Sequence, residues 1–593
     1  MPAKLEGKAV NAPPRPVRTE PVPLATLVAR ADAYTSPANG RTGQARSAQT
    51  AQTGQASGRT GQAGGVHISP ADGAQTGQAG GAQTGQAGGA QSGQAGGGQA
   101  GGAWVGQANG VRVSPANGAR SAGASLDVLV SGATLRAQHV LPGDIFAALP
   151  GARVHGAQFA QEAVASGAVA ILTDEAGAAM LGDLRVPVLT HPDPRGVLGS
   201  VAAWIYGEPS LHLSVMGVTG TSGKTTTTYM IDAGLRAAGH TTGLVGTVET
   251  RIAGQRLASA FTTPEAPDLQ ALFAVMVEKG VTHVPMEVSS HALSLGRVGG
   301  TRFSVGAFTN LSQDHLDFHP TMEDYFQAKA LLFDGRSTTE VVCVDGEWGP
   351  RLVNADTVTV ALTKDALWTA TDLKSSVDGE QTFTVHGPDA TFPVRLPMPG
   401  TFNVANALLA AACLTAVGVD AEAIRSGLAG VQVPGRMERV ALGQQFTAVV
   451  DYSHKPAAVA LALDAIRART TGRIIVVLGC GGDRDVAKRP LMGREAALRS
   501  DLLIVTDDNP RSEDPAAIRQ AMVEGALATE GRGEVLDIGN RREAIAAAVA
   551  EARPGDAVVI AGKGHETGQE VNGVVYPFSD RDELEAAIRE VSL

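Results

Sequence analysis

The stretch Gly217 to Thr227, GVTGTSGKTTT, sets a lysine and a threonine directly behind closely spaced glycines. Glycines let backbone N–H groups close around an anion, a lysine behind them reaches terminal phosphates, and a neighbouring hydroxyl can ligate Mg²⁺. The spelling departs from G-x-x-x-x-G-K-[ST] at one place, where Val218 stands for the first glycine. The flanks still fit a mononucleotide site, because LSVMGVT is a short apolar strand and TTTTYMIDAGLRAAG has helical spacing that closes on Gly239. Gly220, Thr221, Ser222, Gly223, Lys224, Thr225 and Thr226 are therefore expected to hold nucleotide phosphates, with Lys224 on the β- and γ-phosphates and Thr225 on the metal.

Two further clusters offer ligands. THVPMEVSSHAL carries Glu287 beside Ser289, Ser290 and His291, and TNLSQDHLDFH carries Asn310, Asp314, His315, Asp317 and His319. Hard oxygens with an occasional imidazole suit Mg²⁺ held against phosphates, whereas structural zinc usually recruits cysteine, and none is near. GCGGDRD after RIIVVL and GKGHETG after DAVVIA lack the full G-x-G-x-x-G spacing at the opening of a helix, so no nicotinamide site is expected.

These residues need a frame. A chain of 593 residues exceeds what one core fills, and three domains are expected. The reading is α/β throughout: a flexible N-terminus over 1–20, a small N-terminal α/β domain over 21–212, a central domain over 213–433 built on a P-loop-type parallel sheet, and a Rossmann-like C-terminal domain over 434–593. Residues 36–123 repeat GQA and TGQAGGAQ with almost no large apolar side chain, which is the composition of a disordered Gly-rich insertion. In the last two domains strands end in polar clusters, and open α/β sheets bind ligands at the carboxyl ends of their strands. The N-terminus lacks the apolar core of a secretory signal, no apolar run approaches a membrane span, and Cys343, Cys413 and Cys480 are too few and too scattered for a disulfide framework. A cytoplasmic monomer is the expectation. The net charge of −11 argues against a nucleic-acid partner, although an acidic chain can still gather cations in one cleft.

In order along the chain stand TGTSGKT, TTPE, MEVSSHAL, NLSQDHLDFH, FQAKALLF, GTFNVANALLAA, VPGRMERV, DYSHKP, GGDRDVAKRP, DNPR and GKGHE. From about Leu126 to the C-terminus this resembles the Mur ligases, and among them those that add the third residue of the peptidoglycan stem peptide. The resemblance implies an ATP- and Mg²⁺-dependent amide ligase. It would join a diamino acid, with meso-diaminopimelate favoured over L-lysine and L-ornithine, to the D-glutamate γ-carboxylate of UDP-N-acetylmuramoyl-L-alanyl-D-glutamate through an acyl phosphate. It implies Lys224, Glu287, His315 and Lys329 as catalytic, Thr225, Glu287 and His315 as metal ligands, and Lys329 as a carbamylated lysine. Asn403, Asn406, Arg436, Asp451 and His454 match positions around ATP. Thr262, Thr263, Ser289 and Arg297 match the UDP-substrate site, and Arg484, Asn509, Arg511, Gly562 and Glu566 the amino-acid site. Two places depart from the family: Lys455 stands where DYAHTP has threonine, and Arg136-Ala137-Gln138 where DSR commonly precedes PGD. A folylpolyglutamate synthase shares the loop and the glutamate chemistry without the extra N-terminal domain, and a non-catalytic ATP-binding scaffold would not need Lys224, Glu287, His315 and Lys329 together.

Overall fold

The computed structural model describes residues 13–35, 107–108, 111–114, 126–151, 153–257, 261–376 and 379–591, all in one compact unit. The apolar run LSVMGVT forms the strand Ser214–Thr219, with only Ser214 less than buried. Buried on both faces, such a strand belongs inside a parallel sheet. It pairs in parallel with His283–Glu287 on one side and Phe303–Phe308 on the other. The whole sheet has eight strands, continuing through Ser337–Cys343 and Val358–Val360 at one edge. At the other edge it turns antiparallel, with Gly243–Val245, Thr250–Ile252 and Gln255–Leu257 in succession. The connection from Ser214–Thr219 runs to Gly243–Val245 on one side, whereas that from His283–Glu287 crosses to Phe303–Phe308 on the other, so the carboxyl end of Ser214–Thr219 lies at a switch point where a ligand crevice opens.

Helices Lys224–Ala237 and Thr401–Ala416 pack on this sheet, and their buried faces merge with Val341, Val360 and Trp368 into one core. That core also takes in Phe383, Val385 and Leu396 from a three-stranded antiparallel sheet, Thr369–Ser375, Gln381–His386 and Thr391–Leu396. Strict strand-helix alternation did not anticipate this sheet. Its third strand alternates exposed and buried along its length, as a sheet covered on one face must.

In the C-terminal domain Ile474–Leu478 and Ala557–Ala561 are buried at every position. They lie side by side in a six-stranded sheet with Thr447–Asp451, Leu502–Val505, Glu534–Asp537 and an antiparallel edge, Glu438–Val440. At about 1.5–3 kcal/mol for each large aliphatic side chain removed from water, these two strands alone anchor the domain.

Two expectations for the N-terminal region change. Arg15, inside the stretch read as flexible, donates to Asp144 Oδ1 (2.8 Å) and to the Tyr206 hydroxyl (2.9 Å), and the backbone N–H groups of Val17 and Arg18 donate to Glu278. The stretch 13–20 is thus pinned by a half-buried guanidinium. Inside the span read as a disordered insertion, Gln107–Ala108 and Val111–Ser114 form a hairpin that extends the N-terminal sheet, Val111–Ser114 pairing antiparallel with Val188–Thr190. The sequence VRVSPA alternates as a strand does, a signal that the surrounding repeats masked. The other residues of 36–123 lie outside the described residues.

Candidate functional site

The phosphate loop is shaped by glycine. Gly223 sits at φ 89°, and a Cβ there would come within 2.4 Å of Asn406 Oδ1, so any other residue would be both strained and obstructed. Behind it the helix opens at Lys224. Thr221 N–H donates to the Asn310 carbonyl (2.8 Å) and Ser222 N–H to Asn310 Oδ1 (3.0 Å), while the Thr309 hydroxyl donates to Ser222 O (2.6 Å). Asn310, grouped by sequence with the metal ligands, is therefore a brace of the loop. Thr309 was missed, and its place at the end of a buried strand is the signal that could have found it.

Lys224 Nζ donates to the carbonyls of Gly220 (2.9 Å) and Thr221 (3.1 Å). Burial and the neighbouring Lys455 push its ammonium down to about 8. Thr225 donates to Glu287 Oε1 (2.9 Å), and that carboxylate also accepts from Thr247 N–H (2.8 Å) and the Thr247 hydroxyl (3.1 Å). Lys329 is 1% exposed at the inner face of helix Met322–Ala330, donates to the Gly220 carbonyl (2.9 Å) and lies 4.5 Å from the centre of the Tyr325 ring. Burial, with Lys224 and Lys455 adding repulsion, drives its amine well below the ordinary lysine value.

His315 stands apart from Thr225 and Glu287 in its contacts. It adopts φ 54°, its Nε2 lies 3.0 Å from Asp314 Oδ2, and burial pushes its imidazole down to about 3. Its ring meets those of His291 (centroids 4.8 Å) and Tyr325 (6.0 Å). Among the described residues no group of three or more His, Cys, Asp or Glu side chains forms a metal cage. The oxygen pair of Thr225 and Glu287 fits Mg²⁺ all the same, since that ion keeps several waters and phosphate oxygens and asks a protein for only one or two ligands.

The residues expected to hold the UDP-substrate lie on the other side of Glu287. Thr263 donates to the Glu287 carbonyl (2.9 Å) and accepts from Ser289 N–H (3.2 Å), and the Thr262 hydroxyl is 2.9 Å from that of Thr247. Ser289 also caps the short helix Ser290–Ser294. Arg297 pairs with Glu265 (2.9 Å) and donates to Thr263 O (3.3 Å). Glu265 in turn meets Arg195 of the N-terminal domain (3.2 Å), a residue the motifs did not flag. Half-exposed Phe261 lies between two guanidiniums, Arg297 at 5.1 Å and Arg136 at 5.9 Å. Arg136 thus fronts the same side of the site from the place where DSR is usual.

Asn406 Nδ2 donates to Asn403 Oδ1 (3.3 Å), and Asn403 Nδ2 to Pro399 O (2.7 Å), which sets both amides against the loop. From the C-terminal domain Arg436 donates to the Thr225 hydroxyl (3.2 Å) with its guanidinium 4.2 Å from the Tyr452 ring centre. Asp451 is spent on backbone N–H groups of Met437 (2.7 Å) and Ser453 (2.8 Å), holding the strand end in shape. His454 Nδ1 lies 2.8 Å from the Tyr452 carbonyl, and burial pushes this imidazole down to about 3.

The residues expected to take the amino acid gather at the carboxyl end of the last sheet. Asn509 donates to Glu566 Oε2 (2.9 Å). Lys563, fully buried and missed by sequence, donates to Asn509 Oδ1 (3.0 Å) and pairs with Asp508 and Glu566, each at 3.3 Å. Gly562 sits at φ 112°, where a Cβ would meet Asp508 Oδ2 at 2.8 Å. Arg511 donates to Gly482 O (2.6 Å) and pairs with Glu570 (3.3 Å), which exposes 39% of its side chain. Arg484 is engaged only through the carbonyl of its neighbour Asp483 (3.4 Å).

Comparison with known proteins follows this division of labour. The Mur ligase middle domain matches residues 218–414, the Mur ligase glutamate ligase domain 435–564, and the Mur ligase family catalytic domain 129–206. The UDP-N-acetylmuramoyl-L-alanyl-D-glutamate–2,6-diaminopimelate ligase of Corynebacterium glutamicum is 56% identical over 461 residues, covering 75% of this chain and 89% of the relative. Its counterpart from Streptomyces avermitilis is 52% identical over 474 residues, covering 78% and 93%. A solved structure of a ligase with that same description superposes with a TM-score of 0.57 at 32% identity, covering 78% of this chain and 96% of the other. A folylpolyglutamate synthase of Mycobacterium tuberculosis shares the fold with a TM-score of 0.51 at 21% identity, over only 62% of this chain. With three matched domains in order and relatives above half identity, the chain belongs to the Mur ligase family.

Proposed function

We propose that this chain is an ATP-dependent amide ligase of peptidoglycan synthesis that joins an amine of 2,6-diaminopimelate to the γ-carboxylate of D-glutamate in UDP-N-acetylmuramoyl-L-alanyl-D-glutamate. The single observation that carries this reading is Glu287, which is shared between two sites. Its carboxylate receives the phosphate-loop hydroxyl of Thr225, while its carbonyl receives Thr263 of the expected UDP-substrate site. A phosphoryl donor and an acceptor carboxylate bound to these halves would meet across one residue, which is the proximity that phosphoryl transfer needs.

In this reading a γ-carboxylate oxygen attacks the terminal phosphorus and ADP departs. The amine then attacks the acyl carbon, and phosphate leaves with the amine losing a proton. Mg²⁺ held by Thr225 and Glu287 would supply charge neutralisation at the phosphates. Lys224 contributes a cation in the loop, and Thr262, Thr263, Ser289 and Arg297 orient the acceptor. Burial disfavours the charged form of the Lys329 amine, and the neutral form it favours is the one that reacts with CO₂. A carbamate forms there by N–C bond formation with loss of a proton, turning that amine into an anion. Asn509, Arg511 and Glu566 face the diamino acid, and Arg511 offers a fork of donors to a second carboxylate that lysine and ornithine lack.

The test is to incubate purified protein with the UDP-dipeptide, ATP and, separately, diaminopimelate, L-lysine and L-ornithine, and to weigh the product. A diaminopimelate adduct with stoichiometric ADP is expected. ADP release without any adduct, or an adduct only with glutamate on a folate acceptor in a parallel arm, overturns the reading.

A further inference from the structure

One amine from the C-terminal domain reaches the phosphate loop, and no motif accounts for it. Lys455, at the cap of helix Pro456–Arg467, places Nζ 2.6 Å from Asp314 Oδ2 and 3.4 Å from the Thr221 carbonyl. The same Thr221 carbonyl accepts from Lys224, and the adjacent Gly220 carbonyl accepts from both Lys224 and Lys329. Three lysines from three separate segments thus converge on two consecutive carbonyls. Arg436 brings a further cation to Thr225. The carboxylates facing them are Asp314 and Glu287. Burial lowers the Lys455 ammonium, and repulsion from Lys488 and Arg436 adds to it. Without counting Lys329, Lys224, Lys455 and Arg436 still outnumber these two carboxylates until the carbamate forms, and a buried excess of cations is costly until an anion joins it.

The side from which Lys455 enters indicates which part of the nucleotide it meets. Gly223 and Asn406 mark the end of the loop nearest the pair of asparagines expected at the adenine. Lys455 instead meets Thr221 and Asp314, where Thr221 is tied to Ser312 (3.2 Å) and Tyr325 (3.1 Å). That is the side on which Lys329 and His315 stand.

We propose that Lys455 is a further catalytic residue of this chain: its ammonium, delivered by the C-terminal domain, contacts the γ-phosphoryl group of ATP and the acyl phosphate made from it. Asp314 holds the ammonium in place before the nucleotide arrives. The threonine that the resemblance leads one to expect here would have no charge to deliver, so part of the phosphate neutralisation in this chain falls to the C-terminal domain. The proposal rests on the ATP-dependent ligase reading and deepens it.

The rival explanation is an interdomain ion pair with no contact to substrate, and the two differ in their sensitivity to the γ-phosphate. Lys455→Met, Lys455→Thr and Lys455→Arg are compared with wild type for turnover and for binding of Mg·ADP and a non-hydrolysable Mg·ATP analogue. Loss of one charge contact to the transferring group lowers kcat by about 100-fold in the methionine and threonine variants. The analogue then binds at least about tenfold more weakly while ADP binding stays within about threefold, and arginine restores part of both. Equal weakening of ADP and analogue, or kcat within about threefold of wild type, overturns the proposal. Asp314→Asn guards against a folding artefact, because it breaks the ion pair and keeps the lysine: it should lose less γ-phosphate selectivity than Lys455→Met, whereas equal weakening of ADP and analogue in both variants makes the contact an ion pair alone and overturns the proposal. Wild-type product formation in the same assay separates the two readings, since a wild type that makes no amide refutes the ligase, whereas an active wild type matched by Lys455→Met refutes only the lysine.

Discussion

Replacing Lys329 with alanine tests the carbamate directly. The side chain is fully enclosed, donates to the Gly220 carbonyl and faces repulsion from Lys224 and Lys455, with Asp314 as the carboxylate that favours its charged form. An ordinary exposed lysine at neutral pH is deprotonated in only about one molecule in a thousand. Each unit by which burial depresses this amine raises its CO₂-reactive fraction about tenfold, so the environment itself promotes the modification. Removing one preorganised charge beside a phosphoryl group costs about 100- to 1,000-fold in kcat. Gly220 O keeps Lys224 as a donor in the variant, so the loop itself should survive. Acetate at about 0.1 M should then recover part of the activity, less than the tethered group supplies because it must bind from solution. Turnover is followed by ADP release coupled to amide product, with and without acetate, formate and chloride. Full activity in Lys329→Ala, or rescue by chloride as good as by acetate, would refute the argument.

Other outcomes follow from the same contacts. Because the free Lys224 ammonium titrates near 8, kcat/KM for ATP should fall as pH rises through about 8, the charged form being lost, and Lys224→Arg should flatten that limb of the profile. Because burial lowers the Lys329 amine, the native state binds fewer protons than the unfolded chain between that lowered value and 10.5, so stability from this group rises with pH across that window; Lys329→Met should raise the melting temperature at pH 7 in CO₂-free buffer, and bicarbonate should raise that of wild type but not of the variant. Gly562→Ala meets both a φ of 112° and the Asp508 carboxylate, and should weaken diaminopimelate binding at least tenfold with little change in KM for ATP. Arg511→Ala should lower kcat/KM for diaminopimelate by two or more orders of magnitude and that for lysine far less, and equal losses would remove the carboxylate assignment. Deleting 36–105 while keeping the hairpin at 107–114 should leave turnover within a few-fold, and a larger loss would make the repeat part of the working enzyme.

The phosphate loop was legible because strand, glycines, lysine and helix are contiguous, so local pattern and tertiary role coincide. Val218 for glycine proved harmless to that pattern: it is a buried residue of the strand, before the loop turns. The sheet order around it was legible only as a class, since sequence alternation says that a sheet is parallel but not which strands are neighbours. What escaped was whatever depends on contact between distant segments. Lys455 and Lys563 look like ordinary motif lysines until the fold sets one in the neighbouring domain's loop and the other among Asp508, Asn509 and Glu566. Arg15 escaped because a single docked guanidinium leaves no periodic trace. Asn310 and His315 were grouped by spacing, and the structure separates them: one braces the loop and the other pairs with Asp314.

The net charge of −11 and the proposed anionic substrates are reconciled by where the cations lie. Arg136 and Arg297 flank Phe261 where the N-terminal and central domains meet, and Arg195 reaches Glu265 across the same boundary. Lys224, Lys455 and Arg436 converge where the central and C-terminal domains meet. Lys563 and Arg511 face the end of the last sheet. The first two clusters are only partly neutralised by carboxylates and draw cations from more than one domain, whereas the third is matched by Asp508, Glu566 and Glu570. A bound anion therefore stabilises a junction as well as filling a pocket, so substrate occupancy and domain closure are linked. In such an arrangement, salt should weaken nucleotide and UDP-dipeptide binding together and leave folding of the separate cores nearly untouched, because those cores rest on aliphatic strands such as Ile474–Leu478 and Ala557–Ala561 rather than on ion pairs. Titrating KCl while following both KM values and the melting temperature tests this, and a melting temperature that falls in step with affinity would mean that the charges hold the fold and not the substrates.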